Sequence, residues 1–253
     1  MSVADRVSEA ERLLREVHDE LLSELGSERT RRRGHLNLQL HLVRRRLMPG
    51  YDYTSQAGQD FIVDRLLGER AEGVFVDVGG HDGRTGSNTL FFESRRRWSG
   101  LLIEAAERLV AEARRYRRCE CVECAVSDED GEAEFIEVTE GLTQMSGLSG
   151  TYDKALLGKV RADPRHRERA RTVRTRRLDS ILREHGIERA DFVSLDIEGG
   201  ELAVLRTFPF DDVPIEVWAI ENNTGRAEIR EIMTKNGYAL VEFAGVDEIY
   251  RRR

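Results

Sequence analysis

The stretch Val74-Phe-Val-Asp-Val-Gly-Gly-His-Asp-Gly83 constrains this chain more than any other. Val74, Phe75, Val76 and Val78 are too continuously apolar for a half-exposed strand, so they predict a buried parallel one. The strand carries an acid, Asp77, near its end and opens into a turn holding Gly79, Gly80 and Gly83. These residues permit positive φ and a close backbone approach to a ligand. A helix over residues 87–97 is expected next, its N-terminus forming a dipolar site.

Such a strand-turn-helix unit serves NAD, FAD or S-adenosylmethionine (SAM), and glycines alone do not choose among them. Asp77 does choose. A carboxylate just before the turn repels a pyrophosphate but attracts the ammonium and sulfonium of SAM. The spacing Gly79-x-x-x-Gly83 also departs from G-x-G-x-x-G, because Gly79, His81 and Arg84 do not fit it. Farther on, Leu101-Leu-Ile-Glu104 is a second apolar run ending in an acid, about 20 residues after the turn, where a ribose-binding carboxylate is expected. Phe192-Val-Ser-Leu-Asp196 is a third, and Val217 to Glu221 a fourth. Ligands of open α/β sheets bind beyond the carboxyl ends of the strands, so Asp77, Glu104, Asp196 and Glu221 should meet in one crevice.

At 253 residues the chain suits one large α/β domain with an appendage. Its formal net charge of -7 gives no overall attraction to nucleic acid, which favours a small or neutral substrate. No run approaches the ~18 apolar residues of a membrane span, and Met-Ser-Val-Ala-Asp-Arg lacks the apolar core of a signal peptide, so a cytoplasmic protein is expected. Cys119, Cys121 and Cys124 crowd one predicted strand on opposing faces, which suits reduced structural thiols better than a metal site.

Residues 1–50 read as an N-terminal helical arm. Val7, Ala10, Leu14, Val17, Leu21 and Leu25 form a seam at helical spacing, to be packed on the catalytic domain or on a second copy in a homodimer. Arg31-Arg32-Arg33 reads as a charged connector. Leu36, Leu38, Leu40 and Leu42 alternate like a strand, but Leu36, Leu40, Val43 and Leu47 share a helical face, and a helix is the reading favoured here. Residues 51–253 form the main domain. It holds a helix over 60–67, a helix near 107–117, a strand over 121–126, a helix over 227–236, and a terminal hairpin from strands 238–243 and 248–251. A lid-like insert is expected over 128–190. Its arginines, Arg165 to Arg177, suit either a grip on an anion or, more simply, a solvated face.

Four segments together resemble the FkbM family of SAM-dependent methyltransferases: Ser55-Gln-Ala-Gly-Gln-Asp60, Val76 to Gly83, Cys124-Ala-Val-Ser-Asp128 and Leu195-Asp-Ile-Glu-Gly-Gly-Glu201. The resemblance spans residues 54–243. It implies an α/β, Rossmann-like class I methyltransferase fold: a mostly parallel sheet with a C-terminal antiparallel hairpin, here joined to the N-terminal helical arm. It also implies methyl transfer from SAM, commonly to a hydroxyl oxygen of a sugar, glycan or natural-product small molecule. By that similarity Gln56, Gln59, Asp77, Gly79, Gly80, Glu104 and Ser127 surround SAM, with Asp196 at its border.

An alcohol is a poor nucleophile while protonated, so a base or a cation is needed beside it. Glu198, two residues past Asp196, is the candidate base, although an acid in a first helical turn also simply complements the dipole. His81 is a second proton acceptor, or else a wall of the cofactor pocket. Asp196, Glu221 and Asn222 offer hard oxygen ligands for Mg²⁺, against the plainer reading of a SAM-orienting acid, a loop cap and a turn. The alternatives are a nucleic-acid or protein methyltransferase and a non-catalytic SAM-binding scaffold.

Overall fold

The computed structural model describes residues 1–253. The chain opens with α1 (Val3–Ser27), α2 (Arg32–Leu47) and α3 (Gln59–Leu66). There follow β1 (Val74–Val78), α4 (Leu90–Arg95), β2 (Ser99–Glu104), α5 (Glu107–Tyr116) and β3 (Glu120–Glu123). The insert contributes β4 (Ala125–Ser127), β5 (Gly131–Glu140), β6 (Gly147–Leu148), α6 (Lys154–Arg161) and β7 (Arg167–Arg177). The last part comprises α7 (Leu178–Glu184), β8 (Ala190–Leu195), α8 (Glu201–Thr207), β9 (Ile215–Glu221), α9 (Ala227–Lys235), β10 (Tyr238–Ala244) and β11 (Asp247–Arg252).

Seven strands form the main sheet in the order β3-β2-β1-β8-β9-β11-β10. β3, β2, β1, β8 and β9 pair in parallel, while β11 runs antiparallel to both its neighbours. Both faces are covered, which is why the strands read as unbroken apolar runs. On one side Val76, Val78, Ile103, Val193, Leu195 and Trp218 pack against side chains from α7, α8 and α9. On the other, Phe75, Phe192, Val217 and Ile249 meet Val63 of α3, Phe91 and Phe92 of α4, and Trp98. Trp218 is fully buried, and its loss would cost about 3–5 kcal/mol.

The helix expected over residues 87–97 shrinks to the six residues of α4. The chain before it is held as a loop: Asp82 Oδ1 accepts the N–H groups of Arg84 (2.9 Å) and Thr85 (2.7 Å), and Gly86 adopts φ +65°. The single strand expected over 121–126 divides at Cys124, whose N–H donates to Glu104 O (3.1 Å), and β4 then leaves for a second sheet. All three cysteines are free thiols.

The insert is more regular than the sequence suggests. It folds as a four-stranded sheet, β4-β7-β5-β6, and its long hairpin sets β7 arginines opposite β5 glutamates, among them Arg174 opposite Glu132 and Arg169 opposite Glu137. Arg161, Arg169, Arg176 and Arg177 pair with Glu168, Glu137, Glu184 and Asp179 at 2.6–2.9 Å. That pairing engages four of the insert's arginines with acids of the same chain, in keeping with the solvated-strand reading.

In the arm, Leu21 packs on Leu36, Leu40 and Val43 of α2, with Leu14 and Leu25 beside them. Val7 and Val17 of the seam stay exposed. α2 is the helix favoured above. Its Asn37 Nδ2 donates to Phe243 O on β10 (2.7 Å), and Arg33 forks onto Glu242. No helix is long and apolar enough to cross a membrane.

Candidate active site

Parallel pairing brings the strand tips to one edge. Asp77 lies in register with Leu102 and Ser194, and the Asp196 N–H donates to Val78 O at 3.0 Å. A cleft of about 900 Å³, open to solvent, lies beyond these tips. Its lining includes Gln56, Asp77, Gly79, Gly80, His81, Glu104 and Asp196 of the residues singled out from the sequence.

Asp77 is more heavily partnered than a free counter-ion. Its Oδ2 accepts from Thr89 Oγ1 (2.6 Å) and Ser87 Oγ (3.3 Å) and lies 3.6 Å from Arg117 Nη1. Arg117 is wholly buried and also meets Glu93 Oε2 at 3.1 Å. The other oxygen, Oδ1, has no hydrogen bond from the protein, and the residue lines the cleft.

Glu104 is held by the backbone: Oε1 accepts from Ala106 N (2.8 Å) and Oε2 from His81 N (3.0 Å). Burial pushes its carboxyl above the usual carboxylate range, while the Ala106 N–H and the nearby His81 oppose that rise. Both oxygens keep a lone pair for a ribose hydroxyl. Beyond Glu104, Ala105, Leu109 and Val126 face Phe135 and Leu148 of the insert, making an apolar slot that suits an adenine ring. The insert is therefore a wall of the cofactor cleft. Thr143, Gln144 and Ser146 extend that wall.

The glycine turn has a further role. Gly79 adopts φ +82°, and a Cβ there would stand 1.7 Å from the Asp196 carbonyl oxygen. The glycine thus lets the turn after β1 touch the loop after β8, joining the cofactor side to the Asp196 side.

Two predicted contacts fall elsewhere. Gln59 is buried outside the cleft, donating to Asp247 Oδ2 (2.9 Å) and accepting from Ala57 N (2.9 Å). Ser127 ends β4 outside the lining, its hydroxyl bonded to Asp128 at 3.0 Å, because β4 has turned into the second sheet. Val126 lines the cleft in its place. His81 adopts φ +49° and contacts Glu104 and Thr143 (Nε2 to Oγ1, 3.2 Å) rather than Asp196 or Glu198, which suits a cofactor-pocket wall.

Beside the cleft, oxygens of Asp196, Glu198 and Glu221 all lie within 4.8 Å of one another. This set differs from the expected trio in holding Glu198, while the Asn222 side chain is engaged locally. Its Nδ2 donates to Arg226 O (3.1 Å) and Glu248 Oε1 (3.0 Å), and its Oδ1 accepts from Arg226 N (2.8 Å). Glu198 takes its place by adopting φ +59°, a conformation that costs a non-glycine residue about 1–3 kcal/mol and gathers at functional sites. Glu201 accepts from Ile197 N (2.9 Å) and Gly199 N (3.0 Å), so it caps its own turn.

Burial, then the neighbouring carboxylates, drive the cluster toward protonation. Glu198 is pushed up to about 9, and Asp196 and Glu221 are raised well above the usual range. Burial and Glu201 raise Asp247 to about 6, against the Gln59 hydrogen bond. At neutral pH Glu198 therefore keeps its proton and is no base until a positive ligand lowers it.

Strand order, the single reversed strand and an acid-lined cleft at the strand tips define a class I SAM-dependent methyltransferase fold. The methyltransferase FkbM domain model matches residues 77–240, and the chain belongs to that family. An FkbM methyltransferase from Methylobacillus flagellatus KT is 13% identical at a TM-score of 0.46, covering 93% of this chain and 58% of its own. The N-terminal domain of human METTL16 in complex with SAH is 12% identical at 0.44, covering 86% and 79%. Among curated proteins no match was found.

Proposed function

We propose that this methyltransferase transfers the SAM methyl to a hydroxyl oxygen of a sugar, glycan or natural-product small molecule, aided by a divalent cation such as Mg²⁺. One observation carries the reading: three carboxylates within 4.8 Å of one another, one of them on the wall of the cofactor cleft. Glu221 is mostly buried yet accepts no N–H from the protein, which fits a site completed by a cation. All-oxygen donors suit Mg²⁺, and Asp196, Glu198 and Glu221 would hold it. When bound, it would lower the pKa of an acceptor hydroxyl.

This chain's own residues do the remaining work. Asp77 would hold the methionine ammonium of SAM and Glu104 its ribose hydroxyls, and the Gly79–Asp196 contact would keep the cofactor side in fixed relation to the acceptor side. Displacement at the methyl needs the incoming oxygen in line with the departing sulfur, so alignment is the enzyme's main contribution. A bound cation would lower the Glu198 carboxyl toward its ionised form, in which it could take the acceptor hydroxyl's proton.

The test incubates the full chain with tritiated SAM, Mg²⁺ and a panel of methyl glycosides and macrolactones, and locates the label by mass spectrometry. Oxygen-bound label that is lost on chelation supports the reading. Label on nitrogen or carbon, or transfer indifferent to chelation, sinks its oxygen or its metal half respectively.

A further inference from the structure

The arm reaches the carboxylate site through one side chain. Arg31, just before α2, donates from Nη2 to Asn222 O (2.7 Å) and to Val246 O (3.2 Å). Its Nη1 pairs with Glu248, and its guanidinium lies 5.6 Å from the Phe243 ring centroid. Glu248 in turn accepts from Asn222 Nδ2. Asn222 directly follows Glu221, Asp247 lies between Val246 and Glu248, and Asp247 is in register with Glu221. A single guanidinium thus ties the tip of β9 to the start of β11, the two points from which Glu221 and Asp247 project.

The packing around this tie leaves little slack. The Gly245 N–H donates to Gly34 O (2.9 Å), and a Cβ on Gly34 would stand 2.0 Å from Gly245 O. Gln59 holds Asp247 from another direction. Arg33, two residues on, is a natural contrast. It forks onto Glu242 within β10 and donates to Leu25 O and Glu28 O, fastening the arm without reaching Asn222 or Asp247.

We propose that Arg31 is a positioning residue for methyl transfer, fixing the spacing of Glu221 and Asp247 and hence the acceptor-side carboxylates, without touching the cofactor. This rests on the reading of those carboxylates as the acceptor site. The planar fork matters, since it spans two carbonyls and a carboxylate at once. A lysine ammonium can keep the pairing with Glu248 but cannot reproduce that geometry.

The experiment compares full-length R31A, R31K and R33A with the parent by thermal melting, SAH calorimetry, amide hydrogen exchange and tritium transfer to the methyl glycoside panel. R31A and R33A should lose similar melting temperature. Only R31A should speed exchange over residues 222–226 and 246–248. It should also lower kcat by about tenfold or more, on the scale of the roughly 100-fold cost of a 1 Å misplacement. SAH affinity should stay within about twofold, since Arg31 is outside the cleft, and R31K should recover melting temperature but not kcat. Equal losses of kcat in R31A and R33A, or unchanged exchange over 222–226 in R31A, overturn the proposal. A parent protein that labels no glycoside would sink the acceptor reading and with it the catalytic part of the proposal, whereas unchanged exchange over 222–226 in R31A would overturn the tie between Arg31 and the strand tips itself.

Discussion

Gly79→Ala isolates the contact between the two halves of the site. Its new Cβ would lie 1.7 Å from Asp196 O, whereas real Cβ contacts essentially never fall below 3.0 Å. In a close-packed interior the β8–α8 loop must therefore retreat by about 1.3 Å. Alanine at φ +82° adds about 1–2 kcal/mol of backbone strain, and stretching the Asp196 N to Val78 O bond adds about 1 kcal/mol. Together these amount to about 2–3 kcal/mol, or roughly 4–12 °C of Tm in a domain of this size. That is small beside a native stability of about 5–15 kcal/mol, so the variant should fold. Turnover is far more sensitive, because a shift of about 1 Å costs on the order of 100-fold in rate. We expect a folded protein that binds SAH within about tenfold of the parent yet transfers methyl about 100-fold more slowly. Calorimetry, melting and tritium transfer measure the three quantities. Parent-like turnover alongside a lowered Tm would refute the view that Gly79 sets alignment.

Asp77→Asn keeps an acceptor for Thr89 but removes the negative charge, so SAH affinity should fall at least about tenfold, with a Tm loss from the unbalanced buried Arg117; calorimetry showing unchanged affinity would dismiss Asp77 as the cofactor's anion. Glu221→Gln should weaken Mn²⁺ binding, followed by electron paramagnetic resonance, by about tenfold or more, and equal affinity would remove Glu221 from the ligand set. Stability without a cation should depend on pH. Glu198 rises from 4.5 to about 9 and Asp247 from 3.8 to about 6, so the folded state binds more protons than the unfolded one. Stability is then greatest below the unfolded values and is lost as pH rises, through about 6 for Asp247 and about 9 for Glu198. Saturating Mg²⁺ should flatten that slope; denaturant melts showing a rise over the same range would contradict the assignment.

What the sequence disclosed was the part governed by local pattern. Apolar runs ending in acids located β1, β2, β8 and β9, and because parallel tips share an edge they also predicted that Asp77, Glu104, Asp196 and Glu221 would meet; the first three line one cleft, whereas Glu221 lines a neighbouring hollow with Asn222 and Glu201. The reversed hairpin was legible from its two strands. Partners supplied across long separations were not. Arg117 sits in an arginine-rich run that reads as surface, yet it is wholly buried behind Asp77. Glu198 joined the cluster because of a positive φ that no propensity foretells, and the Asn222 side chain is engaged locally by Arg226 and Glu248. Gln59 and Ser127 fell outside the cleft for topological reasons. Phe135 and Leu148 line the cleft because the insert closes into its own sheet, a pairing invisible in their neighbourhoods.

β10 is the last strand of its sheet, and the arm lies against it. A flank of unpaired backbone invites strand addition from other chains, and an adjoining helix is one way proteins shield it. Trimming the first fifty residues to obtain a minimal catalytic fragment would therefore yield sticky, self-associating material, and poor solubility in such a fragment would say nothing against its chemistry.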